Sequence, residues 1–124
     1  MKTVVLVLSI LLGLFMMNAG IQHFLNPAVF RPFVPSVFPF PAAIVLLSGV
    51  VEIGLGATAM VPSRRSVAGW GVLVLMVAFL PLHVWDIFRA EPAIGSHRAA
   101  LVRLPVQFVF IAWAWVVARY SGPR

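Results

Sequence analysis

The sequence predicts an all-α fold, a transmembrane four-helix bundle forming one integral membrane domain over residues 1–124. Three observations predict it. Hydrophobic residues make up 62% of the chain and charged residues only 10%, against about 25% charged in an ordinary soluble domain, so polar groups are too few to cover a water-exposed surface. The apolar residues gather into four runs, each close to the ~20 residues a helix needs to cross ~30 Å of hydrocarbon. Backbone groups in lipid must find partners within their own segment, so each run reads as helix rather than strand.

The first helix spans about residues 3–22 and contains no formal charge. It follows Lys2, yet it exceeds the ~7–15 residues of a signal-peptide core, and Met17-Asn18-Ala19 is a poor cleavage site, so it reads as a retained helix. The second covers about 40–61, interrupted only by Glu52; the third covers about 67–85; the fourth covers about 101–118, with Arg103 and Gln107 in its first turns. Pro81 and Pro105 each remove an intrahelical donor and are expected to kink or loosen their helices. Between the first two helices, Pro27, Pro32, Pro35 and Pro39 forbid a continuous helix, while Phe24, Phe30, Phe33 and Phe38 disfavour an aqueous loop. That connector reads as an interfacial segment folding partly over the bundle mouth, as an anchor in preference to a functional lid.

With four spans, Lys2, Arg64, Arg65, Arg119 and Arg124 share one side and Arg31, Arg89, Arg98 and Arg103 the other, diluted there by Asp86 and Glu91. The basic excess places both termini in the cytoplasm. Trp70, Trp113 and Trp115 then fall toward the inner face and Trp85 toward the outer, as an aromatic belt requires. The net charge of +6 faces headgroups and does not imply nucleic acid, because no basic stripe with interleaved aromatics is present. Cysteine is absent, which excludes disulfides, thiolate metal sites and dithiol exchange in this chain. Too little chain remains outside the spans for catalysis on a separate aqueous domain.

Charges at mid-bilayer cost at least ~2.5–3.5 kcal/mol on insertion scales, so polar residues within spans face the bundle interior and mark function. Ser48, Glu52 and Gly56 follow i, i+4, i+8 spacing and share one helix face. Asn18, Gln22 and His23 lie in the outer part of the first helix, His83 and Asp86 at the outer end of the third, and Arg103 and Gln107 in the outer part of the fourth. The inner half is nearly pure Leu, Val, Ile and Ala. This asymmetry predicts a polar ligand pocket in the outer half, formed by Asn18, Gln22, His23, Ser48, Glu52, His83, Arg103 and Gln107. Structural readings stand beside it: Glu52 with Arg103 as a buried ion pair, Asn18 and Gln107 as interhelical hydrogen-bond glue, and His23 as a snorkelling helix end. His23 and His83 lack the further ligands a metal or haem would need, so no metal site is assigned. Leu82-His83-Val84 echoes Gln22-His23-Phe24, Pro92-Ala93 echoes Pro27-Ala28, and Gln107 stands where Glu52 does, as two related helical hairpins would arrange them.

The segments Ala19-Gly20-Ile21-Gln22-His23-Phe24-Leu25-Asn26-Pro27, Leu47-Ser48-Gly49-Val50-Val51-Glu52-Ile53-Gly54-Leu55-Gly56 and Arg103-Leu104-Pro105-Val106-Gln107 resemble the DoxX family of small four-helix membrane proteins. Phe79-Leu80-Pro81-Leu82-His83-Val84-Trp85-Asp86 is similar to that family's third helix, where an Asn often replaces His83. Gln22, His23, Glu52, Arg103 and Gln107 match the family's polar positions. Some relatives are linked to a membrane thiosulfate:quinone oxidoreductase and others to membrane-associated redox-defence complexes. The resemblance therefore implies a redox-associated subunit of a bacterial inner membrane, working beside a membrane or peripheral redox partner. A quinone needs an apolar slot and donors at its carbonyl oxygens; His23, Gln107 and Arg103 supply donors, and Glu52 a proton exchanger. The rival expectation is a non-enzymatic scaffold or assembly factor, open to homo-oligomers, whose polar cluster only fixes helix register. A transporter or channel fits less well, since the inner half lacks polar steps.

Overall fold

The computed structural model describes residues 2–122. Its elements are α1 (Lys2–Leu25), α2 (Pro27–Phe30), a 3-10 turn (Arg31–Phe33), α3 (Pro41–Met60), a second 3-10 turn (Pro62–Arg64), α4 (Arg65–Phe88) and α5 (His97–Tyr120). Among the described residues there is no strand. The segments containing α1, α3, α4 and α5 are long and apolar enough to cross a membrane, and the chain is a multi-pass membrane protein. Arg124, expected on the side of the termini, lies outside the described residues.

α1, α4 and α5 run past the apolar stretches that announce them, while α3 keeps within its own. α1 and α4 each continue three residues further because the polar side chains at their ends turn inward. α5 starts early because Ser96 caps it, its Oγ accepting from the Ala99 amide at 3.1 Å, which satisfies one of the free donors of the first turn. Pro41 opens α3, where no amide donor is needed. Arg65 closes the same helix, its Nε donating to the Ala59 carbonyl at 3.0 Å. α4 and α5 stay helical through Pro81 and Pro105, so the expected loosening does not break either helix.

The spans form an antiparallel ring. α1 lies along α3 and α4 along α5 as two close hairpins, joined by looser α3–α4 and α5–α1 contacts. In the first hairpin the approach is set by facing glycines: a Cβ on Gly49 would stand 2.9 Å from the Gly20 carbonyl oxygen and 2.8 Å from the His23 Cβ. Small residues of this kind let membrane helices gain the packing that substitutes for a hydrophobic drive. In the second hairpin Gly69 meets the Ala118 backbone, and Ser66 Oγ donates to the Ala118 carbonyl at 2.7 Å. Trp113 Nε1 donates to the Leu8 carbonyl at 3.0 Å and Phe15 packs on Phe110, closing α5 against α1. Trp113 is thus an interhelical staple, whereas Trp70, Trp85 and Trp115 are exposed on the surface. Leu12, Met16, Val72, Met76, Ala114 and Val117 form the apolar core, and Leu47, Val74 and Val109 project outward, as contact with a lipid bilayer allows.

The two hairpins bury equivalent positions. Ser9, Leu12, Met16 and His23 are buried on α1, and so are Gly69, Val72, Met76 and His83, sixty positions on, on α4. Val45, Glu52 and Ala59 are buried on α3, and so are Ala100, Gln107 and Ala114, fifty-five positions on, on α5. The sequence echo is therefore a repeat of the buried face. Both hairpins begin at the same end of the bundle, so the repeat is a parallel one about an axis along the helices.

Candidate functional site

Apart from Ser9, whose hydroxyl donates to the Val5 carbonyl within α1, the buried polar residues gather toward the end of the bundle that carries the α1–α3 connector. His23, in the last turn of α1, is buried with its Nδ1 at 2.8 Å from the Val45 carbonyl oxygen and its Nε2 at 3.0 Å from Glu52 Oε2. A carbonyl only accepts, so Nδ1 carries hydrogen and donates. Nε2 and Oε2 then attract only if one further proton lies between them, on the ring or on the carboxyl. His23 and Glu52 thus stand at ion-pair distance but without the alignment of a hydrogen bond, and Oε2 lacks an aligned partner.

Three more side chains repeat that pattern. Gln107 is fully buried; its Nε2 donates to the Met76 carbonyl at 2.8 Å while Oε1 has no partner. His83 Nδ1 and Arg103 Nε are also buried without partners. Among the described residues, the four unpartnered buried side-chain atoms therefore come from Glu52, His83, Arg103 and Gln107, all of them expected pocket residues. Arg103 lies within electrostatic range of both Glu52 and His83. An unpartnered buried polar group costs about 1–3 kcal/mol, and native proteins keep few of them. Three of these atoms, on His83, Arg103 and Gln107, have no polar partner at all, and Glu52 Oε2 has only the unaligned contact with His23, which makes this end of the bundle the candidate site. Arg103 Nε offers a donor, Gln107 Oε1 an acceptor, and Glu52 and His83 either role according to where their protons sit.

The connector roofs this cluster. Phe30 stacks on His23 with ring centroids 3.9 Å apart, and Phe33 meets His83 edge-on at 6.3 Å. Arg89 latches the roof: it donates to the Pro32 carbonyl at 2.6 Å, stands 3.5 Å from Asp86 Oδ1 and lies over the Trp85 ring at 4.3 Å. At the far end of the connector Phe40 adopts φ 55°, a left-handed conformation for a bulky residue, which costs about 1–3 kcal/mol and persists only where the surroundings hold it.

Not every expected pocket residue joins. Asn18 is exposed on the outer face of α1 and makes no hydrogen bond, because it sits about half a helical turn from Met16 and Gly20, which define the buried stripe. Gln22 is half-buried and accepts from Asn26 Nδ2 at 2.9 Å, bracing the last turn of α1. Ser48 lies half-buried at the border of the α3 stripe, where Gly49 takes the place of closest packing. Glu52 forms its close pair with His23 across the glycine contact and makes none with Arg103. Phe30 and Phe33 are expected from the sequence only as part of a connector folding over the bundle mouth; that each covers a histidine is what sequence reasoning missed, and their spacing of three is the available signal. Asp86, buried as well, is a structural residue: its carboxylate accepts from the Ala93 amide at 2.6 Å and the Ile94 amide at 3.3 Å, fixing the α4–α5 loop.

No curated protein and no solved structure matches this chain. A family model does match, over residues 12–118, a stretch that takes in His23, Glu52, His83, Arg103, Gln107 and their roof. The chain thus belongs to the family described as Domain of unknown function (DUF8561).

Proposed function

We propose that the chain is a DoxX-like, redox-associated subunit of a bacterial inner membrane, with both termini cytoplasmic, whose outer-half polar cluster binds a quinone or similar lipid-like molecule. The observation that carries this reading is the set of buried atoms without an aligned hydrogen bond on Glu52, His83, Arg103 and Gln107, of which only Glu52 Oε2 has a charged neighbour, His23. A ring bearing two oxygens is complementary to them. Arg103 Nε and a protonated His83 Nδ1 donate to carbonyl oxygens, and Gln107 Oε1 accepts from a hydroxyl. Conversion of quinone to quinol takes two electrons and two protons; a proton placed between His23 and Glu52, 3.0 Å apart, would supply one, the outer aqueous side the other, and a partner redox protein the electrons.

Native mass spectrometry with lipid extraction tests the reading, on protein purified in mild detergent, wild type beside Glu52→Gln. Quinone is expected on the wild type and not on the variant. Identical phospholipid on both, with no quinone bound on addition, would falsify it.

The second reading, a non-enzymatic membrane scaffold, draws on the fact that His23–Glu52 and Gln107–Met76 each lie within one hairpin, where they fix helix register. It requires that the double variant Glu52→Gln, Arg103→Met lose thermal stability in step with any cellular phenotype.

A further inference from the structure

We infer that the ligand reaches the cluster sideways from the lipid, its head passing Arg103 and its tail lying in a groove on α5, so that the ligand is a single-tailed amphiphile with a hydrogen-bonding head. This rests on the reading of the cluster as a ligand site. Two open clefts mark the connector end. One, of about 560 Å³, is lined by connector residues such as Ala28, Arg31 and Phe38 and contains no member of the cluster. The other, of about 430 Å³, has Arg103 in its wall, with Ile94, Arg98, Ala99, Val102 and Val106 around it. That volume falls within the range of small-molecule sites, ~300–1,000 Å³.

The two histidines are covered by connector rings, whereas Arg103 lines an open cleft along the start of α5. Phe30 and Phe33 cover the two histidines, and Arg89 ties the connector down through the Pro32 carbonyl. Along α5, by contrast, Val102 and Val106 are exposed and outward-facing. Ile94, which also lines the cleft, is held by the hydrogen bond its backbone N–H donates to Asp86 Oδ2 at 3.3 Å. Arg103 stands between the two environments, flanked by Val102 and Val106 and with a buried Nε that lacks a partner. A guanidinium there attracts an oxygen-bearing head, and the valines suit a hydrocarbon tail, which exchanges lipid contact for protein contact and gains by packing rather than by a hydrophobic drive.

The test uses a benzoquinone with a decyl tail ending in a diazirine, photolysed with the full chain in mild detergent, and adducts mapped by peptide mass spectrometry. Adducts are expected at Ile94, Val102 and Val106, and should fall several-fold in Ala99→Trp and in Val102→Trp, whose melting temperatures show whether each remains folded. Adducts on connector residues 27–40, an even spread over outward positions such as Val50 and Val74, or no adducts at all would overturn the groove. Groove adducts that persist in Glu52→Gln keep the groove and refute the buried cluster as the head-group site. Adducts elsewhere, with quinone still retained by wild type and lost from Glu52→Gln, refute the groove and keep the cluster.

Discussion

Replacing Gln107 by Leu separates a binding site from a structural lock, because the two assign opposite signs to the change. The side chain is fully buried, donates to the Met76 carbonyl at 2.8 Å and weakly to the Met76 sulfur at 3.5 Å, and leaves Oε1 unpartnered. Leu fills a similar volume without polar atoms. It forfeits one interhelical hydrogen bond, worth about 0.6 kcal/mol on average in a membrane, and it removes an unsatisfied oxygen that costs about 1–3 kcal/mol. The balance favours the variant by roughly 0.4–2.4 kcal/mol on those same magnitudes. Thermal unfolding in one mild detergent, followed by tryptophan fluorescence, should show Gln107→Leu melting a few degrees above wild type. Lipid extraction should show any retained quinone lost. A variant that gains stability while losing its ligand is the mark of a residue kept for binding. A melting point below wild type, by the equivalent of about 1 kcal/mol or more, would mean that Gln107 holds α5 to α4 and that its oxygen is satisfied in the working protein.

Further outcomes follow from other contacts. Gly49→Ala should destabilise the bundle by about 1–3 kcal/mol, since its Cβ would press on the Gly20 carbonyl and the His23 Cβ; an unchanged melting temperature would show that α1 and α3 can part freely. Arg89→Ala removes the charged hydrogen bond that ties the connector to α4. Losing about 1.5–3 kcal/mol there should speed thiol labelling of an introduced Val45→Cys by roughly tenfold or more, measurable against a background that has no native cysteine, and equal rates would refute the latch. Asp86→Ala strands the Ala93 and Ile94 amides and should cost about 2 kcal/mol or more, with faster tryptic cleavage at Arg89 and Arg98; resistance equal to wild type would count against the loop's dependence on Asp86.

The four spans were legible because hydrocarbon demands long apolar helices, and polar residues inside such runs are conspicuous. His23, Glu52, His83 and Gln107 were found on that ground alone, and all four are buried. Counting residues from a helix end gives depth but not azimuth, and this is why Asn18 was placed in the pocket although it faces outward. Helical periodicity from Met16 and Gly20 corrects it. The pairing of His23 with Glu52 was not legible, because it depends on how closely Gly20 and Gly49 let two backbones approach, a distance no single helix encodes. The roof was half legible: prolines and phenylalanines marked the connector as unusual, but the ring each Phe covers is set by the fold of α2 and the latch at Arg89.

The repeat of the buried face bears on how such a site comes to have two unlike ends. A symmetric pair of identical hairpins would have to carry the same residue at both equivalent positions, two acids or two amides facing a common axis. Joining the hairpins in one chain lifts that constraint. Glu52 and Gln107 occupy matching places in the two halves, one able to gain or lose a proton and the other not, while His23 and His83 keep the imidazole in both. The proposed quinone, a ring with two opposed oxygens, would meet like partners on either side but a titratable acid on only one, so covalent linkage allows the bundle a chemical direction that symmetry alone would deny it.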